Sequence, residues 1–281
     1  MNNLHERTFE LLEQGALNWS VKHQPRPFSG YRVVRQDNGK FLGHVRESSG
    51  AAQNAVLCEA IIKAGDRLGL VFDRSGSHFN GRQVYFQAPI AQTLVGRTSV
   101  LTLATVTYAH VGEQLLTFGT TDCWEESGNI FHSDFSSSNA VDLRDSQALA
   151  DMIYGTMLQH RSVTALYRRM AAAELSQCME APIMIPVVRD GMGITDPSPA
   201  ERDRLEYLRY TIDKQLERSG RNLWGVFSGI VRYAHKQHRC NTNQSLMIGP
   251  GHELTTIAYS AIRNWLDGHN LQTKYGDLSL N

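Results

Sequence analysis

Asn38-Gly39 stands between two apolar runs, Tyr31-Arg32-Val33-Val34-Arg35 and Lys40-Phe41-Leu42-Gly43-His44-Val45. Asn-Gly flanked by such runs is the strongest short-range hairpin cue, because a two-residue type I′ turn needs positive φ at both of its residues. The sequence therefore predicts an antiparallel hairpin over 31–45. Side chains alternate along a strand, so Arg32 and Val34 face one way and Val33 and Arg35 the other.

The neighbouring segments fit around that hairpin. Leu4, Thr8, Leu11 and Leu12 recur at helical spacing, and Gly15 ends a short helix over 4–14. An extended stretch starts at Trp19-Ser20-Val21, and Pro25 and Pro27 keep it out of helix. Ala52, Val56, Ala60, Ile61 and Ala64 share one face of an amphipathic helix over 51–67. Leu70-Val71-Phe72 opens a strand, Asn80-Gly81 marks a second turn, and Gln83–Phe86 is the return strand. Two more strands are expected over 98–108 and 115–118.

The pattern changes near Asp145. Apolar residues over 145–178 fall mostly three and four apart, as one long helix or two shorter ones. Residues 181–200 hold Pro182, Pro186, Gly191, Gly193, Pro197 and Pro199, the composition of a turn-rich connector. Ser198-Pro199 with Glu201 then opens a helix that runs to about Arg218. Two further helices are expected over 222–239 and 252–267. The fold class is α+β. Residues 1–145 form antiparallel hairpins packed on a helix, and residues 146–281 form a mainly helical region.

The 28 basic and 28 acidic residues cancel, which excludes a histone-like polycation. The charges are unevenly placed. Residues 1–110 carry +4, residues 111–150 carry −6 and residues 151–281 carry +2. Four dispersed cysteines without a CxxC pair argue against a zinc ribbon or a disulfide framework and favour a reducing cytoplasm. No stretch has the run of apolar residues that a membrane span needs, and the N-terminal residues lack the apolar region of a signal peptide.

There is no Walker A loop, dinucleotide fingerprint, HExxH or GxSxG. Gly225-Val226-Phe227-Ser228-Gly229 lies inside a predicted helix, where helix packing explains its glycines better than a nucleophile elbow does. His235, His238 and Cys240 could share a metal. However, Arg232, Lys236 and Arg239 would repel a cation, and a solvated basic helix end is the simpler reading. Asp122, Glu125 and Glu126, with Asp134 beyond, could hold magnesium for a nuclease or hydrolase, or form a solvated acidic loop or an oligomer contact. Neither a cofactor nor a metal is expected.

The most suggestive surface is basic and aromatic. Lys22, Arg26, Arg32, Arg35, Lys40 and Arg46 interleave with Phe28, Tyr31 and Phe41, and only Asp37 offsets them. Cations for phosphates and aromatic faces for bases are what a single-strand-binding groove requires. Lys22, Arg26, Arg32, Arg35, Lys40 and Arg46 are the candidate phosphate contacts, and Tyr31 and Phe41 the candidate stacking residues. An ordinary solvated hairpin with one buried side is the alternative. A second basic cluster over 232–239 reads better as the wet face of a helix.

Three stretches carry a resemblance to a known family. They are Leu11-Leu12-Glu13 through Asn18-Trp19-Ser20-Val21, then Val33–Gly43, then Ala52-Gln53-Asn54-Ala55. Together with Asn222-Leu223-Trp224-Gly225 through Tyr233-Ala234-His235, they resemble the phage/plasmid-like family known as domain of unknown function 932. His110-Val111-Gly112-Glu113 and Thr121-Asp122-Cys123-Trp124 depart from that family's corresponding turn and strand, so the chain resembles a divergent member. The resemblance implies a mobile-element gene expressed in the cytoplasm of a bacterial host. The order hairpin, helix, hairpin is also similar to that of single-strand-annealing recombinases of the Redβ, RecT and Erf kind. That likeness implies ATP-independent annealing of single-stranded DNA by a homo-oligomer. The competing expectation is a non-enzymatic phage protein that acts by binding a host protein in counter-defence or host takeover.

Overall fold

The computed structural model describes residues 4–27, 29–46, 52–113, 115–125, 130–138, 145–175, 177–237 and 249–275. Helix α1 (Leu4–Gln14) is followed by a three-stranded sheet of β1 (Val21–Pro25), β2 (Tyr31–Arg35) and β3 (Phe41–Val45). Helix α2 (Asn54–Leu68) comes next. A five-stranded sheet follows, with β4 (Arg74–His78), β5 (Gln83–Val95), β6 (Thr98–Ala109), β7 (Leu116–Trp124) and β8 (Ile130–Ser138) in sequence order. The remaining helices are α3 (Ser146–Ala172), α4 (Gln177–Pro186), α5 (Pro199–Ser219), α6 (Leu223–Gln237) and α7 (Pro250–Tyr275). The class is α+β. No described helix is long and apolar enough to cross a membrane.

The chain forms two compact units that interleave in sequence. The first comprises residues 1–91, 102–121 and 134–160, and the second residues 92–101, 122–133 and 161–281. The first unit's core is built from α1, α2 and one side of each sheet, with Leu57, Ile61, Val33, Val84, Phe86, Val106 and Phe118 at 0–1% exposure. Alternation puts those strand residues on the buried face. The other face of the five-stranded sheet carries a polar ladder. Gln87 donates to Thr105 (3.1 Å), which donates to Thr121 (2.8 Å), and Gln83 donates to Thr107 (2.9 Å).

The hairpin over 31–45 forms, but its turn is not the expected two-residue one. Arg35 N donates to Lys40 O (2.9 Å) and Gly39 N to Arg35 O (3.1 Å), which closes a four-residue loop. Only Gly39 has positive φ (70°), and the Asn38 carboxamide oxygen accepts from Lys40 N at 2.9 Å. The Asp37 carboxylate turns back onto Arg35 (Nε to Oδ1, 3.0 Å). Asp37 thus belongs to the turn, and the register slips by one residue between Val34, which pairs with Phe41, and Val33, which pairs with Gly43.

The expected strand over 70–72 is also displaced. Gly69 ends α2 in the left-handed region, Leu70 N returns to Gly65 O (2.9 Å), and the chain becomes a strand only at Arg74. At the next turn Phe79 and Asn80 both have positive φ (50° and 60°).

In the second unit, α5 packs on α6, and α7 packs on α4 and α6. The α5 start is a full capping box, in which Ser198 N donates to Glu201 (2.9 Å). Residues 181–200 are not the expected connector throughout, because α4 runs through Pro182 to Pro186. Pro186 has no N–H for the ladder, and the chain widens into a π turn over Val187–Gly191, with Met192 N bonded to Val187 O at 3.0 Å.

Candidate nucleic-acid interface

The three-stranded sheet sorts the basic and aromatic residues by register. Lys22 pairs with Val34 and Gln24 with Arg32 across β1 and β2. Arg32 pairs with His44 and Val34 with Phe41 across β2 and β3. Directly opposed residues share a face. Lys22, Gln24, Arg32, Val34, Phe41 and His44 therefore form the outer face. Lys22, Arg32, Phe41 and His44 are exposed, with Val34 buried between them.

This face has internal order. The Arg32 guanidinium lies 5.1 Å from the Phe41 ring centroid, and the Phe41 ring meets His44 edge-on at 4.9 Å. Phe41 stays 40% exposed, so one cation is held against a ring that is still open to solvent. Lys40 is exposed in the adjoining loop.

Two of the sequence candidates lie on the inner face. Arg35 sits 4.4 Å over the Trp19 ring and is ion-paired to Asp37, whose carboxyl Arg35 holds below the usual carboxylate range. Tyr31 is half-buried, with its ring 6.1 Å from that of His23, and burial lowers the His23 pKa. Arg26 and Arg46 are exposed at the opposite end of the sheet from the 36–39 loop, where Arg26 N is bonded to Gly30 O at 3.1 Å. Phe28 lies outside the described residues.

The sheet is anchored from beneath by Gln53 and Asn54. The Gln53 side chain bonds both the N–H and the carbonyl of Val21, each at 2.9 Å, and so completes the free edge of β1 like an extra strand residue. Asn54 is buried and donates to the carbonyls of Leu17 (3.0 Å) and Trp19 (3.1 Å).

Sequence reasoning missed His44 and Phe79. His44 was not legible from alternation, because it lies three residues after Phe41 and only the register shift between Val33 and Val34 brings both onto the face of Arg32. Phe79 is 42% exposed at the β4–β5 tip, where the following Gly81 packs against Trp19 and Leu42 beneath the three-stranded sheet. A positive φ at a bulky residue gives no local sequence signal.

Among the described residues the remaining candidates do not assemble a reaction centre. Asp122 is not part of a solvated loop. It lies in β7 at 0% exposure and accepts from the Tyr167 hydroxyl at 2.6 Å. Glu125 is exposed and accepts from Gln92 at 2.7 Å, Glu126 lies outside the described residues, and so does the Asp134 side chain. His235 is not on a solvated helix end. Its Nε2 is 2.7 Å from Ile130 O, and burial pushes its pKa down to about 4. His238, Arg239 and Cys240 lie outside the described residues. Arg232 and Lys236 rest over Trp124 (4.8 Å) and Tyr207 (5.4 Å). Among the described residues no group of three His, Cys, Asp or Glu could hold a metal ion.

Comparison of the chain with protein-family models, curated proteins and solved structures gives no match.

Proposed function

We propose that this protein binds single-stranded nucleic acid on the outer face of the three-stranded sheet. In this reading it promotes annealing of complementary strands without a nucleotide cofactor, in phage or plasmid DNA metabolism in the bacterial cytoplasm. The observation that carries the proposal is the Arg32–Phe41 pair, a guanidinium 5.1 Å from an exposed ring on a face that also presents Lys22 and His44. Phosphates would meet Lys22, Arg32 and Lys40, and a base would stack on the open side of Phe41. The annealing step rests on the order hairpin (β2–β3), helix (α2), hairpin (β4–β5), which is similar to that of annealing recombinases. Binding on this face needs no metal and no nucleophile.

The test is fluorescence anisotropy of a labelled single-stranded oligonucleotide over a salt series. Binding should weaken steeply with salt, since each neutralised phosphate adds about 0.7 to the log–log slope on a single strand. Absence of binding at low salt would overturn the proposal.

A further inference from the structure

A cleft of about 790 Å³ opens in the second unit between α4 and its π turn on one side and α5 on the other. Its apolar floor includes Ile183, Leu208, Ile212 and Leu216, all buried. Met184, Val188 and Leu205 line it and are only part-covered, and the adjacent Ile185 is 54% exposed.

The charges on this cleft are ordered. Arg202, Glu206, Arg209 and Asp213 all line it, and all four are exposed on α5. At helical spacing they form a single stripe along one side of that helix. The signs along the stripe run plus, minus, plus, minus. They are antisymmetric about the midpoint between Tyr207 and Leu208. Arg202 and Asp213 stand equally far from that midpoint on opposite sides, and so do Glu206 and Arg209.

A two-fold axis through the midpoint would lay a second α5 antiparallel to the first. Every residue of the stripe then faces its opposite: Arg202 meets Asp213 of the other copy, and Glu206 meets Arg209, each twice. A parallel arrangement would put like charges together. Two-fold interfaces bring the same patch of both copies together, and this patch is electrostatically complementary to itself only in the antiparallel sense. The part-covered apolar residues beside the stripe supply surface to bury.

We propose that the occupant of this cleft is the α5 helix of a second copy of this chain, seated antiparallel across a two-fold axis. This assembly is independent of the nucleic-acid face and stands or falls separately from it.

The experiment is light scattering and mixed pull-down on the full-length protein, with a variant that inverts the whole stripe (R202E, E206R, R209E and D213R together). Inversion keeps every i,i+3 and i,i+4 pairing of opposite charges within α5 and turns the like-charge neighbours Asp203/Glu206 and Asp213/Glu217 into opposite ones, so no pairing within the helix is lost. Circular dichroism should confirm that the fold is retained. The wild-type protein should have a mass at least two-fold that of the monomer. The inverted variant should keep that mass alone, yet fail to pull down tagged wild-type protein, because a mixed pair faces like charge with like charge. A single R209E variant should lose at least half the assembly mass. A monomeric wild-type protein would overturn the proposal. So would free mixing of inverted with wild-type chains, or a folded inverted variant that no longer associates with itself. None of these readouts involves nucleic acid.

Discussion

The carboxamide oxygen of Asn54 lies 2.9 Å from Nε2 of His110, while the amide nitrogen of Asn54 donates to the carbonyls of Leu17 and Trp19. The two carbonyls can only accept, so the orientation of the amide is fixed and Nε2 of His110 must carry the proton. Burial pushes the His110 pKa down to about 4, helped by the charge of His23, which keeps the ring neutral at physiological pH. One buried side chain thus joins the start of α2, the segment leading into β1 and the end of β6.

Replacing Asn54 by Ala leaves two carbonyls and an imidazole N–H buried without these partners. The expected cost is about 2–4 kcal/mol, from an unsatisfied-group penalty of roughly 1–3 kcal/mol each with partial relaxation. Urea denaturation measures it. A midpoint equal to wild type would show that the junction is not under this constraint.

Acid should destabilise the protein through its buried histidines. His78 and His110 are 3% and 1% exposed, and burial lowers both pKa values to about 4. Between about pH 6.5 and 4 the unfolded chain binds protons at these positions and the folded chain does not. Stability therefore falls as pH drops through that window and levels off, for these groups, below about 4. The ceiling is about 3 kcal/mol per histidine. Urea midpoints at a series of pH values should fall towards acid, and His110→Gln should flatten the slope. An unchanged slope in that variant would remove His110 as a contributor.

Much of this architecture was legible wherever the signal was local. Ser198, Pro199 and Glu201 announce the start of α5 because cap, first-turn proline and returning carboxylate all lie within four residues. Alternation correctly divided Arg32 from Arg35. The turn at 36–39 was misjudged because Asp37 is captured by Arg35, a choice between two local pairings that the dipeptide Asn38-Gly39 does not record. Pro182 and Pro186 read as breakers, yet α4 lies against α7, and packing with a π turn outweighs the lost backbone bonds. Asp122 looked like part of an acidic surface because its partner, Tyr167, is 45 residues away. Arg35 looked available for phosphate because nothing in β2 shows that Trp19 lies beneath it.

Gly229 marks a close approach of α5 and α6. A Cβ there would stand 2.4 Å from Ile212 Cα, and one at Gly225 would stand 2.9 Å from the Leu216 side chain and the Gly220 carbonyl. The two glycines, one helical turn apart, serve packing, which accounts for the GxSxG look-alike without a nucleophile. Gly229→Ala must push the helices apart and should cost about 1–3 kcal/mol despite alanine's better helix propensity. Thermal unfolding checks it, and a raised melting temperature would contradict the crossing geometry.

The division of the basic residues between the two faces of the three-stranded sheet gives the most discriminating test of the proposed function. Arg32 and Lys22 are exposed on the outer face, whereas Arg35 is spent on Asp37 and Trp19. Arg32→Ala and Lys22→Ala should each lower the salt slope of single-strand binding by about 0.7. Phe41→Ala should weaken binding by about 1–3 kcal/mol with the slope unchanged, because a stacking contact neutralises no phosphate. Arg35→Ala should leave the slope as it is and lower the unfolding midpoint instead, since it strips a cation from the Trp19 ring. If Arg35→Ala reduces the slope as much as Arg32→Ala, the nucleic acid does not run along the outer face. If Phe41→Ala binds as wild type, Arg32 merely rests on that ring and no base stacks there.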